Sequence, residues 1–381
     1  MRAVVYVLVL LVVIGMILTM VGSALAAAVP TASVSDTASS SRPAPVVVLG
    51  TSNLTWADLR SQVSGTATGI SDVSAAATHL LTLASEGEPM NLSVRTPADR
   101  TCPADGWLTL GRGARASAVE PTDSCAGPGA ATADSGASPL VRALGHDVSI
   151  QAVGTGARLA TGAPGSSPKT SVSLAPSLPE ALSTGSDLTV VDTAEGASTD
   201  ADRVAALDKA LRTVQEQAPP GTRIIVASLA DDEDPGPQMA VLPAGTTSTR
   251  GTSDGLVIGT STHRPGLAQL TDLAPTLTLA LAGRSDPAFD GQALEIPAGG
   301  STPRTTTAAP NDSRIARLAD DALHARASQA TVIPASALLV GAAVVLLVWA
   351  AVVLRDPGAG RRSAVRRRVA GAATLLSALP T

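Results

Sequence analysis

Aromatic residues are nearly missing from this chain of 381 residues, in which Phe, Trp and Tyr together make up 1%. Sites for carbohydrates and for single-stranded nucleic acids depend on aromatic stacking, so this composition disfavours both. Lysine is also scarce, since Lys169 and Lys209 are the two lysines of the chain. The net charge is −5, and the last residues are strongly basic, so the remainder is more acidic still. An acidic surface argues against nucleic acid as a partner.

Long apolar runs lie near both ends of the chain. Residues 1–28 combine one early arginine, an apolar run and the letters "SALAAA", which predicts a signal peptide or an uncleaved signal anchor. Residues 332–354 carry no charge and are long enough to cross a hydrocarbon core of about 30 Å as a transmembrane helix. An arginine cluster follows, so the tail 355–381 is predicted to be cytoplasmic and the main domain extracytoplasmic. We therefore expect a cell-membrane protein with the lipid bilayer as a partner.

The tail ends in "VAGAATLLSALPT", which has the composition of the start of a further membrane span. One interpretation of the chain is therefore an extracytoplasmic module of a larger multi-span membrane protein.

Cysteine is limited to Cys102 and Cys125. In an exported chain, two cysteines separated by a short loop are typical of a disulfide. A metal site would need further ligands, and no histidine lies between the two. We predict a disulfide, which is worth on the order of 3 kcal/mol in the chain-entropy account.

The predicted main domain covers residues 44–296, between a disordered linker (29–43) and a second linker with a juxtamembrane segment (297–331). Within it, "SDLTVVDTAEG", "TDADRVAALDKALRTVQEQAP" and "GTRIIVASLADDED" follow one another as strand, helix and strand. This order predicts a parallel pair joined by a right-handed crossover. The alternation along the domain predicts an α/β fold, a mostly parallel sheet with flanking helices. Residues 160–186 are rich in Ser, Pro and Gly and are predicted to be irregular.

The stretch 266–283, "GLAQLTDLAPTLTLALAG", has leucines at steps of three and four residues. This spacing predicts an amphipathic helix with one apolar stripe. Asp272 is placed to cap it, and Gly283 is placed to end it in a left-handed conformation.

Six segments follow one another along the main domain: "VVVLGTSNLTWADL", "ATHLLTLASEG", "TCPADGWLTLGRGA", "VVDTAEG", "RIIVASLADDED" and the closing "DLAPTLTLALAG…DGQAL". Taken in this order, they resemble the alkaline-phosphatase-like superfamily, which includes sulfatases, phosphodiesterases and cofactor-independent phosphoglycerate mutases. The closing segment is the most specific of them, because it is similar to the family pattern "DLAPTLLDLAG…DGRSL". The resemblance covers residues 44–296 and implies an alkaline-phosphatase-like fold.

The resemblance also implies a site with two metal ions, held by Asp and His beside a hydroxyl or modified cysteine nucleophile. Such metals activate the nucleophile and neutralise phosphoryl oxygens. Carried over to this chain, Thr101 is the candidate nucleophile, and Asp192, Asp231 and His263 are the candidate metal ligands. The metal would be a divalent cation such as zinc, manganese or calcium.

The chain departs from the family pattern at several of these positions. The first strand ends in Gly50 where the family has an acidic ligand, and no histidine follows Asp192 or Asp231 closely. The other histidines, at positions 79, 146 and 324, are better explained by surface, packing or capping roles. We therefore expect a degenerate site with no cofactor, in an exported domain that serves envelope binding or assembly without catalysis. The alternative is a divergent metal-dependent hydrolase or transferase acting on phosphate or sulfate esters.

Overall fold

The computed structural model describes residues 43–63, 77–96, 100–118, 125, 127–130, 136–162, 172–233, 235–247, 256–296 and 313–355. The predicted signal segment, the linker up to residue 42 and the tail from residue 356 lie outside the described residues. Their assignments remain predictions.

The described strands form one eight-stranded sheet. They are β1 (Val46–Thr51), β2 (Glu88–Ser93), β3 (Ile150–Val153), β4 (Val172–Ala175), β5 (Leu188–Asp192), β6 (Arg223–Ser228), β7 (Gln238–Leu242) and β8 (Leu267–Gln269). The spatial order is β4-β3-β5-β1-β6-β7-β2-β8, and β7 runs antiparallel to both of its neighbours. The other pairings are parallel. The predicted α/β class with a mostly parallel sheet is confirmed.

Helices cover both faces of this sheet. They are α1 (Trp56–Val63), α2 (Thr78–Glu86), α3 (Pro103–Arg112), α4 (Pro139–Leu144), α5 (Thr155–Thr161), α6 (Leu178–Ser183), α7 (Asp200–Gln217), α8 (Leu273–Ala282) and α9 (Ser313–Arg355). One apolar core lies between the sheet and α3, α4, α5 and α8, and a second lies between the sheet and α1, α2, α6, α7 and the start of α9. The apolar run of β1 serves both cores, as is typical of a central parallel strand.

The strands β1, β5, β6 and β2 run in the same direction and end at one side of the sheet, which we call the carboxyl edge. We call the opposite side the amino edge. The predicted strand–helix–strand unit is β5–α7–β6, and its two strands are parallel. They are not neighbours, however, because β1 lies between them and pairs with both. Local periodicity cannot reveal this insertion, since β1 comes from a distant part of the chain.

In helix α7 the sequence signals both the start of the helix and its buried face. Thr199 and Asp202 form a reciprocal capping box, with the Thr199 hydroxyl accepting from the Asp202 N–H at 3.1 Å. The apolar residues at three- and four-residue steps are all buried, as predicted: Val204, Leu207, Leu211 and Val214.

The helix predicted in the stretch 266–283 forms directly after Asp272, but the residues before Asp272 are not α-helical. Leu267–Gln269 forms strand β8, Leu270–Asp272 forms a single 3₁₀ turn, and α8 begins only at Leu273. The reason is tertiary, because Leu267 pairs with Asn91 of β2 and this pairing holds the chain extended. The stop at Gly283 is confirmed, with φ of 65° in the left-handed region.

Asp272 has a different task from the predicted helix cap. Its carboxylate is fully buried and accepts three hydrogen bonds, from the Ser261 hydroxyl at 2.5 Å and from the main-chain N–H groups of Gln269 and Gln292 at 2.9 Å each. Burial raises the pKa of this carboxyl, and the three hydrogen bonds oppose that rise. Asp272 therefore holds together the turn at Ser261, the end of β8 at Gln269 and the segment at Gln292.

The segment 160–186, predicted to be irregular, contains regular structure. Strand β4 and helix α6 lie within it, and α5 extends into its start. Strand β4 is an edge strand of four residues, too short for a recognisable alternation of apolar side chains.

Helix α9 has 43 residues and covers both the second half of the predicted juxtamembrane segment and the predicted span. The backbone of the span 332–354 is helical throughout, and the structure describes the side chains of residues 336–348 within it. Within the residues that are described, no helix is both long enough and apolar enough to cross a membrane.

We predict that Asp272→Ala lowers the free energy of unfolding by about 2 kcal/mol, because it leaves three partly buried donors without their acceptor. Urea denaturation of the purified protein measures this loss. Asp290→Ala removes an exposed carboxylate and is the matched control, expected to stay within about 0.5 kcal/mol of the unchanged protein. Equal effects of the two substitutions would contradict the role assigned to Asp272.

Candidate functional site

Asp192 is the last residue of β5 and lies at the carboxyl edge, in register with Gly50 of β1. One carboxylate oxygen accepts from the Gly156 N–H at 2.9 Å, and the other accepts from the Ala194 N–H at 3.1 Å. The side chain is buried, and this burial raises its pKa to about 6 against the opposing effect of both hydrogen bonds. Nearby Glu195 adds a further rise. Asp192 therefore fastens the start of α5 to the end of β5.

Asp231 and Thr101 lie together at the same edge, beyond the ends of β6 and β2. The two carboxylate oxygens of Asp231 accept from the Thr101 N–H at 2.7 Å and from the Gly236 N–H at 3.1 Å. Burial also raises the pKa of Asp231. The Thr101 hydroxyl is 1% exposed and donates to the Val94 carbonyl at 2.6 Å. The hydroxyl predicted to be a nucleophile is thus buried and already donates its proton to the main chain.

The indole of Trp107 fills the space above the end of β1, between β5 and β6. Added to Gly50, a Cβ would lie 2.2 Å from the Trp107 ring and 3.1 Å from Leu229, so even a methyl side chain would overlap the ring unless the ring moved. Added to Gly156, a Cβ would lie 2.0 Å from the same indole. Trp107 is 2% exposed and belongs to the core on the α3 side of the sheet. The absence of an acidic side chain at position 50 therefore has a local physical cause, the packing of an indole on the bare backbone.

A second polar cluster lies on the loop that follows β6. The Asn53 amide donates to the Asp232 carboxylate at 2.8 Å, and Asn53 adopts a φ of 53° that asparagine tolerates better than most residues. The guanidinium of Arg203 lies 2.8 Å from Asp200 and pairs with Glu233 through both of its terminal nitrogens. The acidic residues that follow β6 are therefore partly tied to α7 and to the end of β1.

His263 lies far from Asp192. It is exposed, has a φ of 57°, and is located in the turn before β8. In the sheet β8 is five strands away from β5, which corresponds to about 24 Å at about 4.8 Å for each strand spacing. The structure thus brings Thr101 and Asp231 together, but it does not bring His263 to Asp192.

The metal centre implied by the family resemblance does not fit these residues. Asp192 ends β5 and Asp231 follows β6, and these two strands lie on opposite sides of β1, about 10 Å apart. The two oxygens of each carboxylate already accept hydrogen bonds from main-chain N–H groups. Within the described ranges, no group of three or more His, Cys, Asp or Glu side chains is arranged to hold a metal ion.

The predicted disulfide is confirmed. Cys102 and Cys125 are bonded, with their Cα atoms 5.2 Å apart, and Cys102 immediately precedes α3. The disulfide thereby anchors a distant loop residue beside Thr101 and at the start of the helix that carries Trp107.

Comparison with known proteins adds little to this geometry. No family model matches the chain, and no curated protein sequence matches it. Among solved structures it is similar to an alkaline phosphatase from the Antarctic bacterium TAB5, with a TM-score of 0.34 and 11% identity. That match covers 64% of this chain and 99% of the phosphatase chain. A likeness this distant carries no argument about activity, and what stands is the mixed α/β architecture described above.

Three residues that organise the edge were not found from the sequence: Trp107, Asn53 and Arg203. Asn53 had a usable signal, since an asparagine directly after a buried strand is a frequent site of positive φ. Trp107 had none, because nothing local distinguishes an indole that packs on a neighbouring strand end from an ordinary core residue.

We predict that Asp192 makes the stability of the protein depend on pH. Its pKa in the folded state, about 6, lies above 3.8, the ordinary value of an aspartate, so the folded state binds the proton more tightly. Its contribution to stability is therefore fully present below about pH 4 and is lost as the pH rises through 6, by roughly 3 kcal/mol. Asp192→Asn lacks this titration, so the variant should gain stability relative to the unchanged protein between pH 4 and pH 7.

Chemical denaturation at a series of pH values measures this difference. Asp202→Asn is the matched control, because hydrogen bonds from Thr199 and Ser198 lower the pKa of Asp202 and its effect should have the opposite sign. A stability difference between Asp192→Asn and the unchanged protein that stays constant with pH would contradict the assignment.

We also predict strong coupling between Gly50 and Trp107. Gly50→Ala should destabilise the protein by about 2 kcal/mol, because its Cβ overlaps the indole, and Trp107→Leu should destabilise it through a cavity. The double variant should be more stable than the sum of the two losses by at least about 1 kcal/mol, as measured by urea denaturation. Gly127→Ala meets no atom within 4 Å and is the control. Additive losses would mean that the ring does not lie on Gly50.

Proposed function

We propose that this chain is a membrane-anchored exported protein whose main domain binds or assembles cell-envelope components without catalysing ester hydrolysis. The observation that carries the proposal is the indole of Trp107, which packs on Gly50 of β1 and on Gly156, whose N–H donates to Asp192. A catalytic centre at this edge would need that space for metal ions and substrate. The carboxylates on either side hold main-chain donors instead.

We also propose that the domain has an alkaline-phosphatase-like fold. The support comes from the order of the six sequence segments that resemble this superfamily, including the closing "DLAPTLTLALAG…DGQAL". The mixed α/β sheet with helices on both faces is compatible with such a fold. The domain would then be a member that keeps the scaffold and has lost the metal centre.

Membrane anchoring by residues 332–354 is part of the proposal. Within the described part of this segment, Leu338, Leu339 and Leu347 are 75%, 73% and 70% exposed on a continuous helix. An exposed apolar run of this length is unusual for a surface in water and is suited to a bilayer. The following arginines favour a cytoplasmic tail, and the disulfide favours an oxidising compartment for the main domain.

A second candidate, a divergent hydrolase of phosphate or sulfate esters, has one observation in its favour. Asp192 lies at the carboxyl edge, where α/β proteins bind ligands, and its pKa is raised to about 6. Against this candidate, its predicted nucleophile Thr101 is buried and donates to Val94, and His263 lies on a distant turn.

Metal retention separates the two candidates. The full chain is purified in detergent, incubated with zinc, manganese and calcium, dialysed and measured by mass spectrometry. We expect no stoichiometric metal and no difference between the unchanged protein and the Asp192→Asn, Asp231→Asn and His263→Ala variants, because their side chains do not converge. His146→Ala, which removes another exposed histidine, is the matched control for His263.

The opposite result would be one or two equivalents of metal that are lost in Asp192→Asn and His263→Ala but kept in His146→Ala. Together with hydrolysis of p-nitrophenyl phosphate or sulfate that falls in the same variants, it would replace the binding proposal by the hydrolase.

A further inference from the structure

The first turn of α9 is fastened to the amino edge of the sheet, at the start of β2. The guanidinium of Arg314 donates to the Ser85 carbonyl at 2.7 Å and to the Gly87 carbonyl at 3.2 Å. It also lies 3.7 Å from the Glu88 carboxylate, whose side chain is 2% exposed. A buried charge pair that also satisfies two carbonyls fixes both the position and the rotation of the helix at this point.

The next turns of α9 pack along β2. The Asn91 amide in the middle of that strand donates to the Leu318 carbonyl at 2.9 Å, and both residues are buried. The apolar side of the helix enters the core on the same face of the sheet through Ile315, Leu318 and Ala319. The contact is therefore continuous and combines apolar burial with a specific polar bond.

The contact ends at the carboxyl edge. Gly236, whose N–H binds Asp231, lies against the side chain of Arg326, so that a Cβ added there would be 2.8 Å from the guanidinium nitrogen Nε. From Arg314 to Arg326 the helix rises about 18 Å, and the six residues of β2 span about 20 Å. Helix α9 therefore runs parallel to β2, from the amino edge to the carboxyl edge.

Past Arg326 the same helix continues beyond the carboxyl edge, and the exposed apolar residues from Leu338 to Val348 follow on that side. The predicted span begins at residue 332, six residues after Arg326, which corresponds to about 9 Å of helix. Pro334 lies at the start of the span, and a proline kink of about 20–30° changes the tilt of the span without exchanging the two edges of the sheet.

We propose that α9 is a rigid strut that holds the carboxyl edge toward the membrane, with the Asp231 loop about 10 Å from the bilayer surface. The amino edge then faces away from the membrane. This inference rests on the membrane anchoring proposed above. It places the carboxyl edge, with the loop that carries Asp231, next to the lipid headgroups at the outer face of the membrane.

Energy transfer to labelled lipids tests the orientation. Two variants of the full chain, each with one added cysteine, carry a fluorescent donor. They are Arg95→Cys, exposed just beyond the end of β2, and Gln217→Cys, exposed at the end of α7 on the amino edge. The native cysteines are bonded to each other and do not compete for the label. The protein is reconstituted in phosphatidylcholine–phosphatidylglycerol vesicles that contain acceptor-labelled headgroups at the outer leaflet.

Flotation of the vesicles is measured first and tests the anchoring itself. Failure of the protein to float would overturn the anchoring and, with it, the orientation. In floating vesicles, we expect several-fold stronger transfer from the donor at position 95 than from the donor at position 217. Equal transfer, or stronger transfer from position 217, would overturn the strut while leaving the anchoring in place.

A variant that weakens the strut completes the test. Combining Arg314→Ala with Asn91→Ala removes the hydrogen bonds that Arg314 makes just before β2 and that Asn91 makes to α9. The difference in energy transfer between the two labelled positions should therefore shrink. Asp320→Ala changes the exposed side of the same helix and should leave the difference intact. An undiminished difference in the first variant would show that these bonds do not hold the orientation.

Discussion

The packing of Trp107 on Gly50 is the contact on which the carboxyl edge depends. The indole lies above the central strand, between the two strands that end in the candidate acidic residues. It contacts Gly156 as well, whose N–H binds Asp192, so one ring joins β1, α3 and α5. Interiors are packed closely enough that such a ring leaves no room for a second occupant. The edge that positions a ligand in many α/β proteins is here part of the core.

Three buried aspartates hold separate parts of the chain together through hydrogen bonds. Asp192, Asp231 and Asp272 each accept hydrogen bonds from two or three groups that come from separate segments of the chain. Burial raises the pKa of each, so each carries a cost that its hydrogen bonds offset. Perturbed carboxyls are common at functional sites, but structural networks perturb them too. In this protein the geometry of the donors favours the structural explanation.

Much of the fold could be predicted from local pattern, and the exceptions have physical causes. Helix α7, the stop at Gly283 and the disulfide each depend on neighbouring residues or on composition, and these predictions are confirmed. The sequence did not predict the insertion of β1 between β5 and β6, or strand β8, because both are set by pairing between distant segments. For the site, the sequence indicated that Asp192 and Asp231 come directly after apolar strands, and both lie at the carboxyl edge. It could not indicate that Trp107 packs on Gly50 of the strand between β5 and β6.

Helix α9 also supports this edge, because its contact with Gly236 holds the loop that carries Asp231. The central claim is that this edge is filled by protein. Anomalous diffraction from crystals of the protein grown with manganese tests it most directly. The account predicts the indole of Trp107 on Gly50 and no manganese peak between Asp192 and Asp231. A peak bound by both carboxylates, with the indole displaced, would contradict it.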